Sequence, residues 1–306
     1  MMWRRLAATG ALLAAVTAGQ AATTVVDASG REVSLERPAQ RIVALAPHIV
    51  ENLFSAGAGN KLVGVVSYSD YPPQALAIPQ VGSAYAWSLE SVVALDPDLV
   101  VLWGSGNGLA ALPQLERLGL TVYVSEPRQL ADIANSIRDF GILAGTETSA
   151  QKSAEKLERE IRQLRSRYSH QASLQVFYQI WNQPLQTING EHMISHVIAL
   201  CGGRNIFTDE AQLAPRVSLE TVLQADPDAI VASGMDESRP EWLDDWLPYR
   251  SLQAVNRGAL LHIHPDIIQR PTARIAAGAA ELCRKLDAVR TQSALDRETT
   301  GSVSPH

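Results

Sequence analysis

A chain of 306 residues that is 46% hydrophobic and 19% charged can bury sizeable cores and suits two domains better than one, which sets aside disorder and a coiled coil. Its formal net charge of −6 gives no sign of the basic face that phosphates require, so nucleic acid is not an expected partner.

The chain opens with Arg4-Arg5, an apolar run from Leu6 to Val16 and the small-residue stretch Ala18-Gly19-Gln20-Ala21. Together these read as a secretory signal peptide over residues 1–21, the apolar run being about half of the roughly 20 residues that a membrane span needs. No cysteine near the cleavage site offers a lipid tether. Export places the two cysteines, Cys201 and Cys283, in an oxidising space as a natural disulfide pair, with two buried free thiols as the alternative.

Residues 23–37 read as a hairpin turning at Ser29-Gly30. A strand at Arg41–Leu45, a short helix at Ile49–Ala56 and a strand at Leu62–Val66 follow. Next come a Ser-capped helix around Glu90, a strand ending at Trp103, a helix at Leu109–Leu118, a strand at Thr121–Val124 and a helix at Leu130–Ala144. Strands alternating with helices predict a parallel α/β lobe over residues 22–146.

From Thr148 to Tyr168 no Gly or Pro interrupts, and Ala150, Ala154, Leu157, Ile161, Leu164 and Tyr168 form one apolar stripe. Thr148 with Gln151 suggests a capping box, and Glu155/Arg159 and Glu158/Arg162 stand at i,i+4. A helix of about 30 Å results, read as a strut over residues 147–170. Beyond it, a strand at Leu174–Trp181, a helix at His192–Cys201, a strand at Ala259–Ile263 and a helix at Thr272–Ala288 build a second lobe over residues 171–290. The polar residues 291–306 read as a disordered tail.

The flanks of the strut repeat each other. Ser88-Leu89-Glu90, an apolar turn, Asp96-Pro97-Asp98 and Leu99-Val100-Val101 return as Ser218-Leu219-Glu220, Asp226-Pro227-Asp228 and Ala229-Ile230-Val231. Each is a Ser N-cap, a short helix, a turn and a buried strand. Gly57 and Gly202, at the ends of two further helices, supply left-handed C-caps.

Three chemistries have some footing in these residues. Gly104-Ser105-Gly106-Asn107-Gly108 follows a strand and opens a helix, with Glu126 beyond the next strand, which approaches a dinucleotide fingerprint and a Rossmann-type oxidoreductase. Leu109 stands where the third glycine belongs, and an exported protein has poor access to nicotinamides. His48, the i,i+4 pair His192/His196, and His262 with His264 suggest a metal, but a third ligand of fixed spacing is missing. Aromatics at strand ends, namely Tyr68, Tyr71, Tyr85, Trp87 and Trp181, suggest instead a flat organic ligand gripped between lobes.

The run Tyr68-Ser69-Asp70-Tyr71-Pro72-Pro73-Gln74-Ala75, with Leu89-Glu90, Ala94-Leu95, Pro97-Asp98-Leu99-Val100 and Cys201-Gly202-Gly203 followed by Asn205-Ile206-Phe207, resembles the cobalamin-binding branch of the periplasmic substrate-binding proteins of bacterial ABC importers. The resemblance extends from about Arg41 to Leu286. The Ser-Asp-Tyr-Pro-Pro run is its specific element; Pro-Asp-Leu-Val is shared with siderophore and haem binders, and the Asp27, Gly30, Arg31 and Val33 hairpin looks like the siderophore branch. An iron-siderophore or haem ligand is therefore the alternative.

The resemblance implies a class III periplasmic binding protein: two α/β lobes on one rigid helix, without catalysis, cofactor or resident metal. Cobalamin is then the transported ligand, held in the cleft. Tyr68 aligns with a pocket tyrosine, and Asp266 and Arg270 with a polar pair that reaches the ligand's side-chain amides. Ala84, Ala214 and Gln186 stand where that branch carries aromatic pocket residues, with Tyr85, Trp87 and Trp181 as neighbouring substitutes. Glu90 and Glu220 are expected to dock, one per lobe, on the inner-membrane permease and its ATPase, with the protein a periplasmic monomer.

Overall fold

Thr23–Val26 (β1) and Glu32–Leu35 (β2) alternate buried and exposed side chains and pair antiparallel about the expected turn, where Gly30 takes φ +80°. The computed structural model describes residues 22–234 and 238–301, with side chains described as far as Gln292; the expected signal peptide lies outside these residues.

The first parallel sheet is made of Ile42–Ala44 (β3), Leu62–Gly64 (β4), Leu99–Trp103 (β5) and Val122–Ser125 (β6), in the order β4-β3-β5-β6. Its central strands are buried on both faces because helices cover both, which is why they read as continuous apolar runs. The helices of this half are Pro47–Ser55 (α1), Leu89–Ala94 (α2), the single turn Gly104–Asn107 (α3), Leu112–Arg117 (α4) and Leu130–Ala144 (α5).

Glu147–Tyr168 (α6) buries Ala150, Ala154, Leu157, Ile161 and Tyr168 and packs against α5. The capping box expected at Thr148 does not form. Gly145 turns left-handed at φ +65° and ends α5, so α6 starts at once at Glu147, and Gln151 instead accepts from Arg138 and donates to Glu155. The reciprocal box belongs to α5, between Gln129 and Asp132.

The second sheet contains Leu174–Gln179 (β7), Gly203–Asn205 (β10), Ala229–Ala232 (β11) and Leu260–His262 (β12), in the order β10-β7-β11-β12 and again parallel. Between β7 and β10 come the hairpin Trp181–Asn182 (β8) and Leu185–Gln186 (β9) and the helix Met193–Leu200 (α7). Leu219–Ala225 (α8), Gln253–Asn256 (α9), Pro265–Ile268 (α10) and Ile275–Gly301 (α11) complete this half, and α11 also packs on α6. The helix α11 runs on through residues that composition suggested were a disordered tail from Thr291. No Pro lies between Ile275 and Gly301 to stop it, and residues 302–306 of the expected tail lie outside the described residues.

Both sheets have the same strand order, and the repeated segment does the same work in each. Ser88 and Ser218 accept from the backbone N–H three residues on, capping α2 and α8. Asp96 and Asp226 take the left-handed conformation at φ +45° and +43°. Asp98 then accepts from the backbone of Gln40 and Arg41, and Asp228 from that of Gln175, so each Asp-Pro-Asp turn fixes one strand against the start of its neighbour. Cys201 and Cys283 form a disulfide between the end of α7 and α11.

Candidate functional site

One turn of α1 reaches across to the second lobe. Glu51, 3% exposed, accepts at Oε2 from Arg274 Nε (2.8 Å) and at Oε1 from Arg274 Nη2 (2.7 Å) and Arg270 Nη1 (2.9 Å). Its neighbour Asn52 donates Nδ2 to the Pro271 carbonyl at 3.0 Å. Arg270 also binds Asp70 of the first lobe at 2.8 Å and Asp266, one turn back, at 3.0 Å. Burial raises the Asp70 carboxyl, but the hydrogen bond and charge of Arg270 outweigh it and hold the group below the usual carboxylate range.

Asp70 lies in the loop that the sequence singled out. Tyr68 there has φ +64°, a conformation that costs a non-glycine residue about 1–3 kcal/mol, and its ring is 78% exposed. Tyr71 lies under the Arg274 guanidinium, 4.0 Å from the ring centroid. The structure thus brings the Tyr68 loop, Asp266 and Arg270 to one place, although 196 residues separate Asp70 from Asp266 (266 − 70).

Behind them an interlobe cavity is lined by Trp103, Ser105, Glu126 and Arg128 from the first lobe and by His192, Met193, Leu213, Ile268, Gln269 and Pro271 from the second. Trp103 ends β5, its ring edge-on to His48 at 5.2 Å and 6.4 Å from the exposed Tyr85. Asn107 accepts from the Trp103 backbone N–H and donates to Leu45 and Ala84, which anchors the turn below the ring. Gly106 is required there: any Cβ meets the Trp103 indole.

Trp87 is placed differently, packed with Val63, Leu89 and Leu95 against the first lobe's second core cluster. Trp181 stands past the end of β7, 39% exposed, donating Nε1 to Gln183 O. Gln186 donates to Ala214 O, tying the β8–β9 hairpin to the opposite rim segment. Glu90 and Glu220 are exposed in the first turns of α2 and α8. Glu220's own backbone N–H and the Ser218 hydroxyl hold its carboxyl below the usual range.

The other chemistries fare poorly. The Ser105 backbone N–H, which would meet a pyrophosphate, is taken by the Glu126 carboxylate at 2.7 Å, an anion where an anion would have to bind. His192 caps α7, its Nδ1 accepting from Ile194 N, and His264 caps α10 in the same way. Burial and His196 hold His192 neutral, its pKa lowered to about 4.

Glu51, Trp103 and Arg274 do not stand out in the sequence as site residues. Trp103 carries a usable signal, a bulky aromatic at the carboxyl end of a buried strand. Glu51 and Arg274 carry none, since each lies in an ordinary helical pattern and gains its role only from a partner 223 residues away.

Two α/β lobes of equal topology that face each other across an aromatic and charged cleft define a two-lobed binding protein. The chain belongs to the periplasmic binding protein family, whose model matches residues 42–268. The vitamin B12-binding protein of Vibrio cholerae is 34% identical over 255 residues, with 83% of this chain and 92% of that protein covered. The one from Yersinia pestis is 33% identical over 253 residues, with 83% and 88% covered. The crystal structure of periplasmic vitamin B12-binding protein BtuF of Vibrio cholerae matches with a TM-score of 0.76 at 34% identity, over 83% of this chain and 98% of that one. Periplasmic haem-binding protein HutB of Vibrio cholerae has a TM-score of 0.71 at 20% identity, over 81% and 98%, a likeness of fold alone.

Proposed function

We infer that this protein is a periplasmic carrier that captures cobalamin in the interlobe cleft and delivers it to an ABC importer. The supporting observation is the meeting of the Tyr68–Pro73 loop with Asp266 and Arg270 at one point of the cleft, in a chain whose relatives are named for vitamin B12. Exposed rings at Tyr68, Tyr85 and Trp181 offer stacking faces, and the Asp266/Arg270 pair offers a donor and an acceptor to amide groups. Nothing in this reading calls for catalysis.

Isothermal titration of the mature protein with cyanocobalamin is expected to show one saturable site. Tyr68→Ala should weaken it by about 1–3 kcal/mol, the value of covering such a ring. Heat with haem or a ferric siderophore, and none with cyano- or aquo-cobalamin, moves the assignment to the other branch.

Glu90 and Glu220 are assigned to docking on the two permease subunits, one carboxylate per lobe. Both are exposed at the same place in the repeat, and an importer with paired subunits presents two like surfaces. The Glu90→Arg/Glu220→Arg variant should fold and bind ligand normally, yet lose importer-dependent uptake in reconstituted vesicles. Normal uptake would leave the two residues as helix-end acids favoured by the macrodipole.

A further inference from the structure

We propose that Glu51 is the positioning residue of the cleft: a buried carboxylate of the first lobe that pins Arg270 and Arg274 of the second, fixing both the width of the cleft and the aim of Arg270. For its affinity arm the proposal rests on the corrinoid reading; its structural arm does not.

At 3% exposure Glu51 has no surface to offer a ligand, so any effect it has on binding runs through the arginines. Its contact with Arg274 is the two-pronged kind, Nε to Oε2 and Nη2 to Oε1, which fixes the guanidinium plane as well as its distance. Arg274 is itself held at its base, its backbone N–H donating to the buried Thr272 hydroxyl, and its outer face lies against Tyr71. The Glu51 atom Oε1 is shared with Arg270, whose remaining bonds go to Asp70 and Asp266. Three carboxylates therefore surround two guanidinium groups, and Glu51 is the member nearly sealed from solvent, the other two carboxylates being 45% and 27% exposed at the side chain.

Position decides the consequence. Glu51 sits on α1, directly after β3, at the carboxyl end of the first sheet, while Arg270 and Arg274 flank the turn between α10 and α11. The same turn receives Asn52 at Pro271 O. Without Glu51, two partly buried guanidinium groups face each other with one carboxylate fewer between them, and the lobes lose three of the four side-chain hydrogen bonds that α1 makes to this turn. Arg270 remains tied to Asp70 on a loop and to Asp266 on its own lobe, and neither fixes the distance between the sheets. A cleft preset in this way binds with little reorganisation, so losing the pin should show chiefly as faster ligand release.

The test uses the mature, disulfide-bonded protein labelled with nitroxides at Ser91→Cys and Gln224→Cys, two exposed positions on α2 and α8, one on each lobe. Dipolar distance measurement without ligand should give one narrow distribution in the parent and a broadened or shifted one with Glu51→Gln. Cyanocobalamin should dissociate about tenfold faster from Glu51→Gln, with the association rate little changed. Because Glu51→Gln leaves charges uncompensated, Glu51→Gln/Arg274→Gln is measured beside it; it should regain thermal stability while keeping the broad distribution, which a purely structural role would not produce. Parent-like distributions in both variants overturn the proposal, as does a parent-like release rate. If the parent binds no cyanocobalamin, the corrinoid reading falls, and the distance distributions still decide whether Glu51 sets the cleft.

Discussion

Replacing the Cys201–Cys283 bridge by two alanines is expected to lower unfolding stability by roughly 4–5 kcal/mol, the chain-entropy value for a closed loop of this length. The two residues are 82 apart in sequence, and both are fully buried. One lies at the end of α7, beside β10, and the other in α11, which packs on α6, α7 and α10. The bridge thus ties the last helix of the chain to the middle of the second lobe, and its loss frees that helix in the unfolded ensemble. Denaturant titration of the parent, with and without reductant, and of Cys201→Ala/Cys283→Ala measures the effect. Coincident midpoints would show that the bridge contributes nothing. Cobalamin affinity measured well below the transition should be unchanged, because neither cysteine borders the cleft.

Acid should destabilise the protein well before its carboxylates are protonated. His48 is 4% exposed, its Nε2 has no hydrogen-bond partner among the described residues, and its ring lies against Trp103. Burial, and then the nearby charge of Arg270, lower its pKa from 6.5 to about 3. The unfolded chain therefore takes up a proton below pH 6.5 that the native protein refuses until about pH 3, and stability is fully present above 6.5 and falls between those values. The loss reaches the order of a few kcal/mol by the lower limit, since each tenfold difference in proton affinity between the folded and unfolded chain corresponds to about 1.4 kcal/mol. Unfolding free energies of the parent and of His48→Leu, measured from pH 7.5 to 4, isolate this group from the others that titrate in that range. A variant slope as steep as the parent's would remove His48 as the cause. Above pH 6.5 the two curves should run parallel.

Much of this protein's architecture is local in origin, and there the sequence alone sufficed. The α6 stripe of Ala150, Ala154, Leu157 and Ile161 depends on residues three and four apart, the Ser88 and Ser218 caps on contacts three residues long, and the Asp-Pro-Asp turns on their own backbone. Their constant spacing also exposed the duplication, which both sheets express as one strand order. Tertiary structure decided the rest. Trp87 and Tyr85, two residues apart, are equally plausible ring donors on paper, yet one packs on the lobe core and the other is 80% exposed beside Trp103. That division depends on Gly82 at φ +128°, where the backbone of Ala86 and Trp87 closes in and no Cβ fits. The resemblance marked Asp266 and Arg270 as a polar pair facing a ligand; folding adds Glu51 and Asp70 from the other lobe and makes them part of a contact between lobes as well. A carboxylate's partner across some 220 residues leaves no periodicity or spacing behind, because the chain between them only has to fold, and many sequences fold the same way.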